Sequence, residues 1–251
     1  WINRWEKVKN WFYNVDGLTQ KMHLTKKAQL LFIITFIIII VTIIDWPLLS
    51  CQALTYDDEQ YLVCNYRIKA VNWESCRCFL TEIFTPSTVG GYYQPLTMIS
   101  LMVDFLFAGE VGDLTVFHRT NLLLHLINTS LIVIFIFLLF KNLWCAALTG
   151  LIFGLHPMTV ESLAWIAERK TLLATMFSVG SLISYLHYFL LKQKNKKFLF
   201  FALVLYILSL MSKPISIPLP IVMLILDYWS LQKFQKSMVF EKGVFYLVGI
   251  I

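Results

Sequence analysis

Three long apolar runs, "AQLLFIITFIIIIVTII" (28–44), "LLLHLINTSLIVIFIFLLF" (122–140) and "TLLATMFSVGSLISYLHYFLL" (171–191), constrain this chain more than any other feature. Each is near the roughly 20 residues that carry a helix across a bilayer. Hydrocarbon offers the backbone no hydrogen-bond partner, so segments of this kind must satisfy themselves as helices. Shorter runs follow at 143–155, 198–211 and 215–229, and another begins at Val244. Only 14% of the residues are charged and mean hydropathy is +0.69, against about 25% charged in ordinary soluble domains. The predicted fold class is therefore all-α, a polytopic transmembrane helical protein.

The net charge of +6 does not point to nucleic acid, because the basic residues are segregated by position along the chain. Arg4, Lys7, Lys9, Lys21, Lys26 and Lys27 precede the first run, "KQKNKK" occupies 192–197, and Lys233, Lys236 and Lys242 follow the later runs. The positive-inside rule places these on the cytoplasmic side. Alternate threading then puts 45–115, 156–170 and 212–214 outside, together with Asp45, Asp57, Asp58, Glu59, Glu74, Glu82, Asp104, Glu110, Asp113, Glu161 and Glu168. The domain reading is a basic cytoplasmic segment, 1–27, and a multi-pass membrane domain, 28–251, with one long outer loop at 45–115. The last apolar run stops at "LVGII", which predicts a chain truncated before any further domain. "LLSC" (48–51) faintly resembles a lipoprotein cleavage box, but "DWP" separates it from the apolar run and the run is long for a signal core.

The outer loop is too long for a simple connector and should hold structure of its own. "DDEQYLVCNYRIKAV" mixes Tyr61, Leu62, Ile68 and Val71 with charges, as a short interfacial amphipathic helix does. "SCRCFLTEIF" reads the same way, "TPSTVGGYYQP" is a turn-rich loop, and "LTMISLMVDFLFAG" (96–109) is a half-buried helix with Asp104 at its middle. Cys51, Cys64, Cys76 and Cys78 all fall in this loop, where an oxidising compartment would allow one or two disulfides, with three possible pairings if all four join. "GLHPMTVES" and "MSKPISIPLP" break the helical pattern on the same side, and irregular backbone at membrane depth survives only against protein or a wet cavity.

Carboxylates and cations thus gather beside an apolar wall. That combination suits a lipid-linked phosphate substrate: a carboxylate takes a proton from an attacking hydroxyl while Arg or Lys stabilises the departing phosphate. Each element also has a plainer reading. Asp57, Asp58 and Glu59 could cap an interfacial helix, where carboxylates favour the N-terminus. "ERK" (168–170) could be an interfacial anchor, His125 and Asn128 could hydrogen-bond a neighbouring helix, and His156 with Pro157 could only end one.

The segments "YDDEQYLVCN", "GGYYQPLTMISLMVDFLFAG", "HRTNLLLHLINT", "LIFGLHPMTVESLAWIAERKTLLATMFSVGSLISY" and "LSLMSKPISIPLPIVMLILDYW", in that order and spacing, resemble the membrane domain of the transmembrane and tetratricopeptide-repeat O-mannosyltransferase-like family, of the GT-C class. The resemblance covers roughly residues 50–232, and its most specific pieces are "HPMTVESLAWIAERK" and "SKP". It implies a polytopic helical fold whose first outer loop carries an acidic pair. That pair would act in moving a sugar, such as mannose, from a polyprenyl or dolichyl phosphate carrier to a protein or glycan acceptor. By position the pair maps to Asp57 and Asp58, with Glu59 as the alternative one residue on. Glu168, Arg169, Lys170, Lys213 and His156 map to the donor phosphate, with Asp104 a supporting carboxylate. The resemblance implies no obligatory cofactor, and a divalent cation is admitted without being required. The family's repeat domain is not within these 251 residues, as expected if the sequence stops before it.

The sequence reads as a glycosyltransferase of an integral membrane, a bacterial inner membrane or, alternatively, that of the endoplasmic reticulum, with membrane lipids as further partners. Two rivals stand beside it. A transporter or flippase for an anionic lipid-linked substrate would use the same cations as a funnel, but transport sites sit nearer mid-membrane. A non-catalytic membrane scaffold would need none of them.

Overall fold

The computed structural model describes residues 17–52, 57–83, 93–109, 114–190, 195–231 and 236–250, and every regular element among them is helical. Helix α1 (Gly17–Asp45) runs into a 3-10 turn, Trp46–Ser50. The first loop folds as a π-helical turn, Glu59–Val63, then α2 (Tyr66–Lys69) and α3 (Trp73–Thr81). Helices α4 (Pro95–Ala108), α5 (Thr115–Phe140), α6 (Leu143–Gly154), α7 (Pro157–Ala164), α8 (Arg169–Leu190) and α9 (Lys196–Leu210) follow, and α10 (Leu219–Leu231), α11 (Lys236–Glu241) and α12 (Gly243–Ile250) complete the series. Asparagine sets many of the starts. The side-chain oxygens of Asn65, Asn72, Asn142 and Asn195 accept first-turn N–H groups of α2, α3, α6 and α9, donors that have no partner within their own helix. The turn-rich loop predicted from "TPSTVGGYYQP" lies outside the described residues up to position 92, as do Glu110 and Asp113.

Among the described residues two stretches, Thr25–Ser50 and Thr115–Phe140, are long and apolar enough to cross a membrane. Helices α6 and α7, bent by 53° at His156, make a third if the pair counts as one broken span. Helix α8 covers most of the third long run and is not one of these stretches. The multi-pass expectation therefore narrows here to two or three candidate spans. On α1, Leu31, Phe32 and Ile43 are each about two-thirds exposed, an outward apolar face suited to hydrocarbon.

Two features of the sequence let the helices meet closely. Gly150 and Gly154 lie one turn apart on α6, where a Cβ would run into Val133 of α5 at the first and Val41 of α1 at the second. That small-xxx-small spacing seats α6 between its neighbours. Helix α5 carries a buried polar stripe at intervals of three, four and three: His118, Asn121, His125 and Asn128. Each serves a backbone carbonyl, Cys51 at 3.1 Å, Leu163 at 3.3 Å, Gly154 at 3.0 Å and Leu172 at 2.9 Å. Three of those carbonyls sit where a helix or turn stops, and such ends leave acceptors that an apolar setting cannot satisfy. A carbonyl only accepts, so both imidazoles carry a proton on Nε2.

The first loop is docked rather than free. Tyr61, Leu62, Ile68 and Phe79 form one core cluster with Met98, Leu101 and Met102 of α4, Phe117 of α5, and Ile166 and Ala167. The expected disulfides are absent: all five cysteines, Cys51, Cys64, Cys76, Cys78 and Cys145, are free thiols. Cys76 and Cys78 are two residues apart on α3, so they point about 200° apart around the helix, and Cys76 is turned onto the core cluster while Cys64 is exposed.

Candidate active site

The docked loop brings four distant segments of charge together. The innermost layer belongs to Arg169, at the first position of α8 and fully buried. Its Nη1 is ion-paired with Asp104 of α4 and also reaches the Ser100 carbonyl and hydroxyl, both at 3.4 Å. Nε donates to Asn121 Oδ1 at 2.8 Å and Nη2 to the Phe117 carbonyl at 2.7 Å. The Thr120 hydroxyl donates to the other oxygen of Asp104 at 2.8 Å. A planar guanidinium with fixed donors suits such a site. Every nitrogen of the Arg169 guanidinium has a partner inside the protein.

The next residue meets a different environment. Lys170 Nζ lies 3.3 Å from Asp57 Oδ2 and 3.3 Å from Glu168 Oε1, with the Tyr61 ring centroid at 5.0 Å and that of Trp165 at 5.7 Å. Lys213 Nζ closes the cluster from the α9–α10 turn, 3.1 Å from Glu168 Oε2 and 2.7 Å from the Thr171 hydroxyl. That hydroxyl also donates to Glu168. Burial works to raise the Glu168 carboxyl, but Thr171, Lys170 and Lys213 outweigh it and hold it below the ordinary value of 4.5. Exposure grades across the group. The Lys170 side chain is 4% exposed, Glu168 15%, Lys213 20% and Asp57 38%, so Asp57 is the most solvent-exposed of the four.

Asp58 is its buried neighbour, and its Oδ1 accepts the Ala167 N–H at 2.7 Å. It sits at the N-cap position of the π-helical turn without capping it by its side chain, so the helix-capping reading does not describe what it does. It pins the loop onto the segment that precedes Arg169. Glu59 is exposed at the start of the turn. His156 stands apart: its Nδ1 accepts the Met158 N–H at 3.2 Å, making it the N-cap of α7, after the bend.

The Lys213 turn is held from two sides. Leu96 N–H donates to the Met211 carbonyl at 3.3 Å and the Thr97 hydroxyl to the Ser212 carbonyl at 3.1 Å. From within, the Ser216 hydroxyl meets Ser209 at 2.5 Å and Ser178 at 2.7 Å. Thr97, Asn121, Trp165 and Thr171 join the site without being singled out by the sequence, and Tyr61, expected only on an interfacial helix, faces Lys170. Only Asn121 carried a signal, being in phase with His118, His125 and Asn128. Among the described residues, no group of three or more His, Cys, Asp and Glu is placed to hold a metal ion.

Comparison with known proteins finds partial similarity to protein O-mannosyl-transferases. The chain is 28% identical over 138 residues to the protein O-mannosyl-transferase Tmtc2 of Drosophila melanogaster, a match covering 53% of this chain and 14% of that protein. It is 31% identical over 100 residues to the protein O-mannosyl-transferase TMTC1 of Mus musculus (39% and 10%), and 26% identical over 93 residues to TMTC3 of Homo sapiens (37% and 10%). The chain thus matches about a tenth to a seventh of the length of these relatives. No protein-family profile and no solved structure matches it.

Proposed function

We propose that this chain is part of a membrane glycosyltransferase of the GT-C kind, and that it moves mannose from a polyprenyl or dolichyl phosphate to a hydroxyl of a protein or glycan acceptor. The reading rests first on one observation: Asp57, Glu168, Lys170 and Lys213, from three segments far apart in sequence, converge in a single half-open ion cluster. The likeness to O-mannosyl-transferases supports the sugar, and the apolar helices support a lipid carrier lying between them. Their animal sources favour the endoplasmic reticulum over a bacterial membrane, and dolichyl over other carriers.

In this mechanism the acceptor oxygen attacks C1 of the sugar while Asp57 takes its proton. The bond from C1 to the phosphate oxygen breaks and its electron pair leaves with the phosphate. Lys170 and Lys213 stabilise that charge, already in place when it develops. Glu168 orients both ammonium groups, Asp58 fixes the loop that carries Asp57, and Arg169 with Asp104 forms the floor. The test is release of radiolabelled sugar from a panel of polyprenyl and dolichyl phosphate sugars by the full-length protein in lipid. Turnover of one donor that falls in Lys213→Met is expected. A stable protein that releases sugar from no donor overturns the reading in favour of a scaffold.

A further inference from the structure

The charges around the cluster do not favour an incoming anion as they stand. Four carboxylates, Asp57, Asp58, Asp104 and Glu168, face three cations, Arg169, Lys170 and Lys213. Arg169 is engaged by Asp104 and by neutral acceptors, so among the described residues of this cluster the two lysines remain to receive a phosphate, and both already hold carboxylates. A phosphate must therefore replace a carboxylate on one of them. The two carboxylates are not equally easy to replace. Glu168 is tied to both lysines and to Thr171 and is mostly buried. Asp57 meets Lys170 through one oxygen at 3.3 Å and is the most exposed member of the group.

We infer that donor binding works by ion-pair exchange: the donor phosphate takes the place of Asp57 on Lys170, and the carboxylate so released becomes the base that meets the acceptor hydroxyl. This rests on the reading of the cluster as a sugar-phosphate site. It assigns Asp57 two successive roles, first as the internal stand-in for the substrate anion and then as the proton acceptor. It also imposes an order of events, because Asp57 stays neutralised by Lys170 until a donor arrives. Acceptor activation without donor, and with it futile approach of the acceptor, is suppressed. No covalent change accompanies the exchange; one anion leaves the Nζ of Lys170 as another engages it.

The consequence runs against the usual expectation for a catalytic residue. Removing the charge of Asp57 removes a competitor of the phosphate, so binding should improve as turnover fails. The experiment is equilibrium binding of radiolabelled dolichyl phosphate mannose to the full-length protein in lipid nanodiscs without acceptor. Asp57→Asn is expected to bind about fivefold tighter, the scale of one half-exposed ion pair, and Asp57→Glu, which keeps the charge, should match wild type. Lys170→Met should bind about tenfold weaker or worse, as when an anion loses its buried cation. An Asp57→Asn protein with wild-type unfolding behaviour that binds the donor equally or more weakly overturns the exchange while leaving the site reading intact. Absence of saturable binding to wild type overturns both.

Discussion

Arg169 and Lys170 are adjacent in sequence, both buried and both paired with aspartate, yet they occupy opposite kinds of site. The arginine is surrounded by fixed acceptors and a sealed carboxylate. The lysine shares its ammonium between a sealed carboxylate and an open one. What separates structure from function in this region is how completely a buried charge is already satisfied. A saturated guanidinium ties α4, α5 and α8 together, whereas an ammonium with an exchangeable partner can serve a ligand.

The comparison breaks most readily at Arg169. Arg169→Met leaves Asp104 buried without its countercharge, and loss of one member of such a pair costs about 3–5 kcal/mol. Unfolding of the purified protein in detergent would register it, and Asp104→Asn, which leaves the Arg169 guanidinium buried without its countercharge, should cost a similar amount. A stable Arg169→Met protein that had lost only donor binding would reverse the two assignments.

A smaller, different effect is expected at Lys213. Lys213→Met should weaken donor binding about tenfold while changing stability by less than about 1 kcal/mol. Half-saturation of transfer and unfolding measured on the same preparation separate the two.

Acid sharpens the contrast further. The Glu168 carboxyl lies below its ordinary value in the folded protein, so the stability it contributes is present above pH 4.5 and is lost as pH falls through its lower folded value. Glu168→Gln should flatten that part of the unfolding profile below pH 4.5, and an unchanged profile would remove Glu168 from the ion network.

The smallest effect belongs to His156. His156→Ala removes one helix cap, worth about 0.5–1 kcal/mol, and should leave donor binding as it was. A clear loss of binding would bring His156 into the site.

Much of this architecture is written in the chain, and the remainder fails to show for a physical reason. Apolar runs announce helices because only a self-satisfied backbone tolerates such surroundings, and "HP" and "SKP" mark breaks because proline interrupts the ladder. Asp57, Glu168, Lys170 and Lys213 stand out because charge is scarce here. Sequence cannot say which charges are sealed: "ERK" looks uniform, and only the approach of Asn121 and Asp104 divides Arg169 from Lys170. Nor does it divide Asp57 from Asp58, since that depends on a backbone N–H 109 residues away. The disulfide expectation failed in the same way, because composition gives a compartment but not the direction of a thiol. His125 and Asn128 are legible as hydrogen-bonding groups, though not which backbone carbonyls they reach, Gly154 at a helix end and Leu172 within α8.

The most direct test of the account is single-turnover release of mannose from dolichyl phosphate mannose, with acceptor present, for wild type, Asp57→Asn and Asp58→Asn in the full-length protein. Loss of release in Asp57→Asn with its unfolding unchanged, alongside instability of Asp58→Asn, is the result this account predicts. Wild-type release by Asp57→Asn would contradict it.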